Sequence, residues 1–265
     1  MKHVIPSQGR DSVTAVTSLG SHVFVLCRNS QQIEVYDAEI FTLQRHITVP
    51  GIGSRSYGLA ACAVYQCIYA SDSNNSIHKV ELSCSNAVKK WSVDSLPRGL
   101  SVNKAHNLVV TCYWAKKLQE YTTHGSLVRE ICLQAGVTDP WHAIQLSTGH
   151  YVVSQWTSPG VVSVVGVDGQ VIHSYGPSET SDVGHMKCPS NLVVTKNDDI
   201  LVADTDNHGI LSIIRSTGCV QELALSVDGG IQVPGGLCLD ESRGRLYVGE
   251  WGRQDRVLVF DGVKI

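Results

Sequence analysis

A run of four mostly apolar, strand-forming residues recurs six times along this chain, at residues 24–27, 68–71, 108–111, 151–154, 200–203 and 246–249, with starts 44, 40, 43, 49 and 46 residues apart. From the second copy on, an anchor stands nine or ten positions earlier, usually glycine and often just after proline: Gly58, Gly99, His142, Asn191 and Gly236. A unit of this size cannot bury both of its own faces, so it must stack on a neighbour. Two apolar strands in a period near 45 residues therefore indicate a radial array of small sheets. The six copies predict an all-β chain, a six-bladed β-propeller of four-stranded antiparallel blades.

The uninterrupted repeat assigns residues 1–265 to a single domain, because a ring of blades closes only on itself. Hydrophobic residues make up 43% of the chain and charged residues 17%, ample for a sizeable core. A net charge of −3 gives no whole-domain attraction to nucleic acid or anionic membrane. No apolar stretch approaches the roughly 18 residues of a membrane span. The opening Met1-Lys2-His3-Val4-Ile5-Pro6 is too short and polar for a signal peptide. Nine cysteines, an odd number without a C-x-x-C pair, suit free thiols in a reducing cytosol better than a disulfide framework or zinc site. The expectation is a cytoplasmic, monomeric domain that needs no cofactor.

Residues 189–223 show one unit in full. Pro189-Ser190-Asn191-Leu192-Val193-Val194-Thr195 and Ile200-Leu201-Val202-Ala203-Asp204 flank a polar turn and read as a hairpin. Residues 210–214 and 220–223 supply two further strands, with Ser216-Thr217-Gly218 between them. Helical periodicity is absent throughout. The last unit holds only three strands, near 236–240, 246–250 and 256–260, while His3-Val4-Ile5 precedes the first unit unassigned. This N-terminal segment is expected to close the last blade and cover its open edge.

At Asp204-Thr205-Asp206-Asn207-His208-Gly209-Ile210 the chain resembles the NHL repeat, named for an Asn-His-Leu signature in the turn after the second strand. Asp72-Ser73-Asn74-Asn75-Ser76-Ile77 is a shorter, weaker copy, and the openings Pro97-Arg98-Gly99-Leu100 and Pro234-Gly235-Gly236-Leu237 fit the same family. Only the fifth unit carries a clear Asn-His, and Gly209 stands where an Arg is usual. The resemblance implies a module similar to the C-terminal NHL domain of tripartite-motif ubiquitin ligases, where such propellers recognise protein or RNA targets. The zinc-binding RING and B-box regions of those ligases are absent from this sequence.

In a propeller, the loop entering the inner strand and the loop after the second strand open on the same face. Collected over the units, these loops gather Arg28, Arg55, Tyr57, Asp72, Asn74, Arg98, Tyr113, Trp114, Lys116 and Lys117, then Trp141, His142, Gln155, Trp156, Asn191, Asp204, His208, Glu250, Trp251 and Arg253. Four of the five tryptophans fall in this set, and the fifth, Trp91, lies in an outer strand. Aromatic and arginine clusters are the usual energetic centres of recognition surfaces. The expected partner-binding residues are Arg55, Tyr57, Arg98, Tyr113, Trp114, Lys116, Trp141, His142, Trp156, Trp251 and Arg253. Trp114, Trp156 and Trp251 hold comparable positions after their second strands, which suits either an aromatic ring on the face or a repeated wedge between blades.

Charge on this face is mixed, with Arg28, Arg55, Arg98, Lys116, Lys117 and Arg253 offset by Asp72, Asp139, Asp204, Asp206, Glu250 and Asp255. Phosphate neutralisation wants a one-sided basic surface, so a protein or peptide partner fits better than single-stranded RNA, which aromatic stacking keeps as the alternative. Related six-bladed propellers also include metal-dependent lactonases and an amidating lyase, whose metals sit near the central channel. His142, Asn191, Asp204 and Glu250 are the residues such a hydrolase or lyase would use here. The competing reading is that these side chains satisfy loop amides and that His142 merely replaces an anchor glycine. Asp204-x-Asp206-x-His208-Gly209 opens like a calcium loop, but Arg215 stands at the twelfth position, where a bidentate Glu is required. No H-E-x-x-H, G-x-S-x-G or phosphate-binding loop motif is present. The expectation is a non-catalytic recognition module.

Overall fold

Each copy of the apolar phrase is the second strand of a four-stranded antiparallel sheet, and there are six such sheets. The computed structural model describes residues 2–8, 12–53, 55–83, 86–176, 186–223, 225, 230–252 and 255–263. Blades 1 to 5 span residues 13–48, 59–92, 97–132, 140–175 and 189–222, each with its strands in chain order. Blade 6 combines residues 234–261 with the N-terminal strand. Each first strand packs against the first strand of the next blade, and that of blade 6 returns to that of blade 1, which closes the ring. The fold is a six-bladed all-β propeller.

The repeated phrase is apolar along its length because a second strand is covered on both faces. In His22–Cys27, Phe24 and Leu26 enter the cluster shared with blade 2, while Val23, Val25 and Cys27 enter the cluster shared with blade 6. Alternate side chains point to opposite faces of a strand, so one strand serves two interfaces. Each pair of neighbouring blades encloses one apolar cluster of this kind. Outer strands have one dry face at most. Leu43–Thr48 and Leu127–Cys132 are mainly exposed, and each has one buried side chain, Ile47 and Ile131 respectively.

The expected closure is present. Lys2–Pro6 pairs antiparallel with Arg256–Asp261 in register His3↔Val259, Val4↔Leu258 and Ile5↔Val257. Ile5 is fully buried in the cluster between blades 6 and 1, while Val4 faces solvent. In blade 5 the strands are Pro189–Val194, Ile200–Asp204, Gly209–Ile214 and Cys219–Glu222. The turn carrying the Asn-His pair is a short 3-10 segment, Thr205–Asn207, followed by His208 in a left-handed conformation. His208 Nδ1 accepts the Val233 amide at 3.0 Å, which ties this turn to the loop entering blade 6.

Among the described residues, Cys27, Cys62, Cys67, Cys112, Cys132, Cys188, Cys219 and Cys238 form no disulfide, and Cys84 lies outside the described residues. Among the described residues no helix is long and apolar enough to cross a membrane.

Candidate functional site

The first strands share a defect that aims side chains at the ring axis. In blades 1, 3, 4, 5 and 6 the ladder between the first and second strands slips at its start, between Val13 and Ala15, Pro97 and Leu100, Pro140 and His142, Pro189 and Leu192, and Pro234 and Gly236. A bulge leaves a residue unpaired and redirects its side chain. Arg98, Trp141, Ser190 and Gly235, each just before its anchor, are in this position, as is Thr14 in blade 1; in blade 2 Tyr57 precedes the anchor Gly58. Thr14, Tyr57, Arg98 and Trp141 line one cavity of about 310 Å³.

The rest of its wall comes from the position just after the second strand. Cys27, Cys112, Gln155 and Glu250 pair with Val13, Pro97, Pro140 and Pro234, so the following residues, Arg28, Tyr113, Trp156 and Trp251, are equivalent. All four line the cavity, together with Ser12. Trp114 is not equivalent to Trp156 and Trp251, contrary to the sequence-based expectation. It stands one residue further on, and that single step turns it outward, where its side chain is 72% exposed on the rim and meets Tyr113 edge-on at 4.7 Å.

The rings form one connected cluster. Trp141 stacks on Trp156 at 4.5 Å with 28° between planes, and Trp251 lies 5.3 Å from Trp156. Tyr57, Trp141 and Trp251 come from alternate blades, yet their centroids are only 5.5 to 6.1 Å apart. Rings from blades spaced a third of a turn apart can touch only over the axis, so this triangle closes the channel at this level. Gly235 makes the arrangement feasible. A Cβ there would lie 1.9 Å from Trp251 Nε1, so the indole occupies the space that a side chain at Gly235 would need.

Arg98 sits among these rings, its guanidinium carbon 4.4 Å from the centre of Tyr57, 4.5 Å from Trp141 and 5.1 Å from Tyr113. Tyr113 donates its hydroxyl to Asp139 Oδ1 at 3.0 Å, and burial together with this bond raises the phenol above its ordinary pKa.

The carboxylates of the same face are used by the scaffold. Asp204 Oδ1 accepts the Lys187 amide at 2.7 Å, and Glu250 accepts the Gln232 amide and pairs with Arg256, both at distances below 2.7 Å. Asp72 accepts the amides of Asn74 and Ser76 and pairs with His78 at 2.9 Å. Burial pushes the Asp72 carboxyl up, but the bonds from His78, Lys90 and these amides outweigh it and hold it below the ordinary carboxylate range. Burial raises Asp204 above that range. Asp72, Asp204 and Glu250 are at most 1% exposed and already engaged, Asp72 and Glu250 in ion pairs with Lys90 and Arg256 and Asp204 with the Lys187 amide, so none of the three presents a free carboxylate on the face.

His142 is buried and points away from the cavity into the blade interfaces. Its Nδ1 accepts the Leu192 amide of blade 5 at 3.2 Å, so Nε2 carries the proton and donates to the Leu100 carbonyl of blade 3 at 3.1 Å. One neutral ring thus ties three blades, and burial pushes its pKa down from 6.5 to about 4. A depressed histidine pKa means that the unfolded chain takes up a proton first. The stabilisation is complete above about pH 6.5 and is lost as pH falls towards 4, by up to about 3 kcal/mol. Urea melts between pH 7.5 and 4.5 are expected to show this loss in the native protein and a flatter profile in His142→Gln. Parallel profiles in that window would refute the neutral tie.

Of the other residues expected on the binding face, Arg55 and Lys116 are exposed on left-handed backbone, outside the cavity wall. Arg253 lies outside the described residues. Ser12 and Thr14 belong to the wall although the sequence carries no sign of it, because blade 1 has no glycine anchor to mark its bulge. Among the described residues no group of three or more His, Cys, Asp or Glu is placed to hold a metal ion.

No protein-family model matches the chain, and no curated protein matches it. Solved structures do resemble it. A catalytically inactive variant of virginiamycin B lyase from Staphylococcus aureus, determined with quinupristin, aligns over 99% of both chains with a TM-score of 0.70 at 12% identity. A protein of unknown function from Bacteroides caccae aligns over 86% of this chain and 81% of its own, with a TM-score of 0.69 at 15% identity. Hydrazine synthase from Kuenenia stuttgartiensis covers 96% of this chain and 78% of its own, with a TM-score of 0.66 at 18% identity. At such identities the likeness is one of fold.

Proposed function

We propose that this propeller is a non-catalytic recognition module that binds a protein or peptide partner in the aromatic pocket on its axis. The observation that carries the reading is the convergence of Tyr57, Tyr113, Trp141, Trp156 and Trp251 with Arg98 around one cavity. Rigid aromatic side chains with an arginine at the centre of a concave patch are the usual anchors of protein recognition. The NHL resemblance extends the proposal to substrate selection for a ubiquitin ligase. The likeness to a lyase favours a second reading, an enzyme acting on a ligand held by the same rings. Turnover of a ligand selected for binding would decide for that reading.

The test is selection from a displayed peptide library on the native protein and on Trp156→Ala and Trp251→Ala, with His22→Ala, His106→Ala and His150→Ala on the opposite face as controls. Both tryptophans are half-buried. Losing either is expected to weaken selected peptides by about 2 kcal/mol, roughly thirtyfold, and the histidine variants are expected to bind as the native protein does. Melting curves accompany each variant, since a tryptophan serving only as core would instead cost about 3–5 kcal/mol of stability. Folded tryptophan variants with full affinity would place the binding surface elsewhere.

A further inference from the structure

We infer that the pocket takes the C-terminal carboxylate of a polypeptide, inserted end-on, with Arg98 as its anchor. This rests on the recognition reading of the same pocket and adds the chemistry of what enters it. Arg215, Arg243, Arg245 and Arg256, the other part-buried arginines among the described residues, each pair with a carboxylate. Arg98 has no such pair there, and its Nε is buried without a hydrogen-bond partner. Three aromatic rings surround the guanidinium instead. Ring faces balance part of a cation's charge, but they do not take up its in-plane N–H groups. Those donors suit a planar, two-oxygen acceptor, the geometry in which arginine binds carboxylate best. Arg28 adds a second cation to the wall, and it too has no ion pair among the described residues. The wall itself contains no Asp or Glu, and Asp139 beside it accepts from the Tyr113 hydroxyl.

Shape selects the end of a chain. The triangle of Tyr57, Trp141 and Trp251 blocks the axis, so a polypeptide cannot thread through it. About 310 Å³ is at the small end of ligand pockets and suits a terminal residue or two. Charge then distinguishes the two ends, because Arg98 and Arg28 repel an N-terminal ammonium and attract a C-terminal carboxylate, a recognition mode known for chain ends. The last side chain would rest against the indoles of Trp156 and Trp251.

The experiment uses the whole chain and a fluorescein-labelled pool of pentapeptides, Gly-Ser-Gly-X-X with X randomised, prepared as free acids and as C-terminal amides. Binding is read by fluorescence polarisation, with a uridine decanucleotide as a third arm. The free-acid pool is expected to bind at least tenfold more tightly than the amide pool, and Arg98→Gln is expected to abolish that difference. Arg98→Lys, which keeps charge but loses the planar fork, should restore it only in part. Acid and amide pools that bind the native protein equally, with binding still lost in Trp156→Ala, would overturn the carboxylate while leaving peptide recognition intact. Binding of neither pool, or of the oligonucleotide alone, would overturn both. Should Arg98→Gln fail to fold, the acid and amide comparison on the native protein decides by itself.

Discussion

Removal of residues 1–8 is expected to lower the melting temperature by about 10 °C or more and to drive the protein into dimers or aggregates. The segment supplies a whole strand, paired with Arg256–Asp261 along its length. Its Ile5 is fully buried, and losing a buried Ile side chain alone costs about 2–5 kcal/mol. The Pro6 carbonyl also accepts the Tyr36 hydroxyl at 3.0 Å, and Ser7 donates to the buried Glu34 carboxylate, so blade 1 loses partners as well as cover. In a domain of this size about 1 kcal/mol corresponds to roughly 2–4 °C. The uncovered edge of the last blade then presents free backbone groups that can pair with a second copy. Differential scanning calorimetry and size-exclusion chromatography give both readouts. Ile5→Ala, which keeps the strand and removes its anchor, should fall between the truncated and native proteins. An unchanged melting curve for the truncated protein would show that the strand carries no part of ring closure.

The second large effect is expected from a single methyl group. A Cβ at Gly99 would lie 2.6 Å from His142 Cα and 2.7 Å from the Trp141 carbonyl, both backbone atoms of the next blade. Neither can swing aside as a side chain would, so Gly99→Ala must push blades 3 and 4 apart. Overpacking of a tight interior costs about 1–3 kcal/mol, and a backbone clash belongs at the upper end or beyond. The displacement acts on Arg98 and Trp141, so the pocket should lose affinity together with the fall in stability. Gly53→Ala is the matched control, since a Cβ there meets nothing within 4 Å. Thermal unfolding of the two variants side by side tests the claim. Equal melting temperatures would mean that the interface between blades 3 and 4 is looser than its geometry states.

Phe24, Val25 and Leu26 announce a strand because they are covered on both faces, and burial on both faces removes the need for polar residues. The anchors were legible for a similar reason. Gly58, Gly99 and Gly236 recur because the ring packs so closely here that a Cβ would meet a neighbour at 3.1 Å or less, a side chain at Gly58 and the backbone of an adjacent blade at Gly99 and Gly236. His142 broke that pattern and drew attention as a candidate ligand or base, whereas both its nitrogens hold backbone groups of adjacent blades. A residue type announces its chemistry, but whether that chemistry is already used depends on partners 42 and 50 residues away.

By itself, then, the sequence determined the number of blades, the antiparallel order within them, the strand that closes the ring and the face on which the tryptophans gather. Each of these follows from a period or from the burial pattern of neighbouring residues, which are local properties. The tertiary structure alone decided which aromatic residues meet. A bulge at the anchors of blades 3 and 4 turns Arg98 and Trp141 to the axis, and a one-residue offset in register sends Trp114 to the rim while Trp156 and Trp251 turn inward. It also decided that Asp72, Asp204 and Glu250 are committed to loop amides, whereas Arg98 has only rings around it. Side-chain direction in a strand reverses with every residue, so a shift of one position changes a residue's role without changing the apolar pattern that predicts the strand.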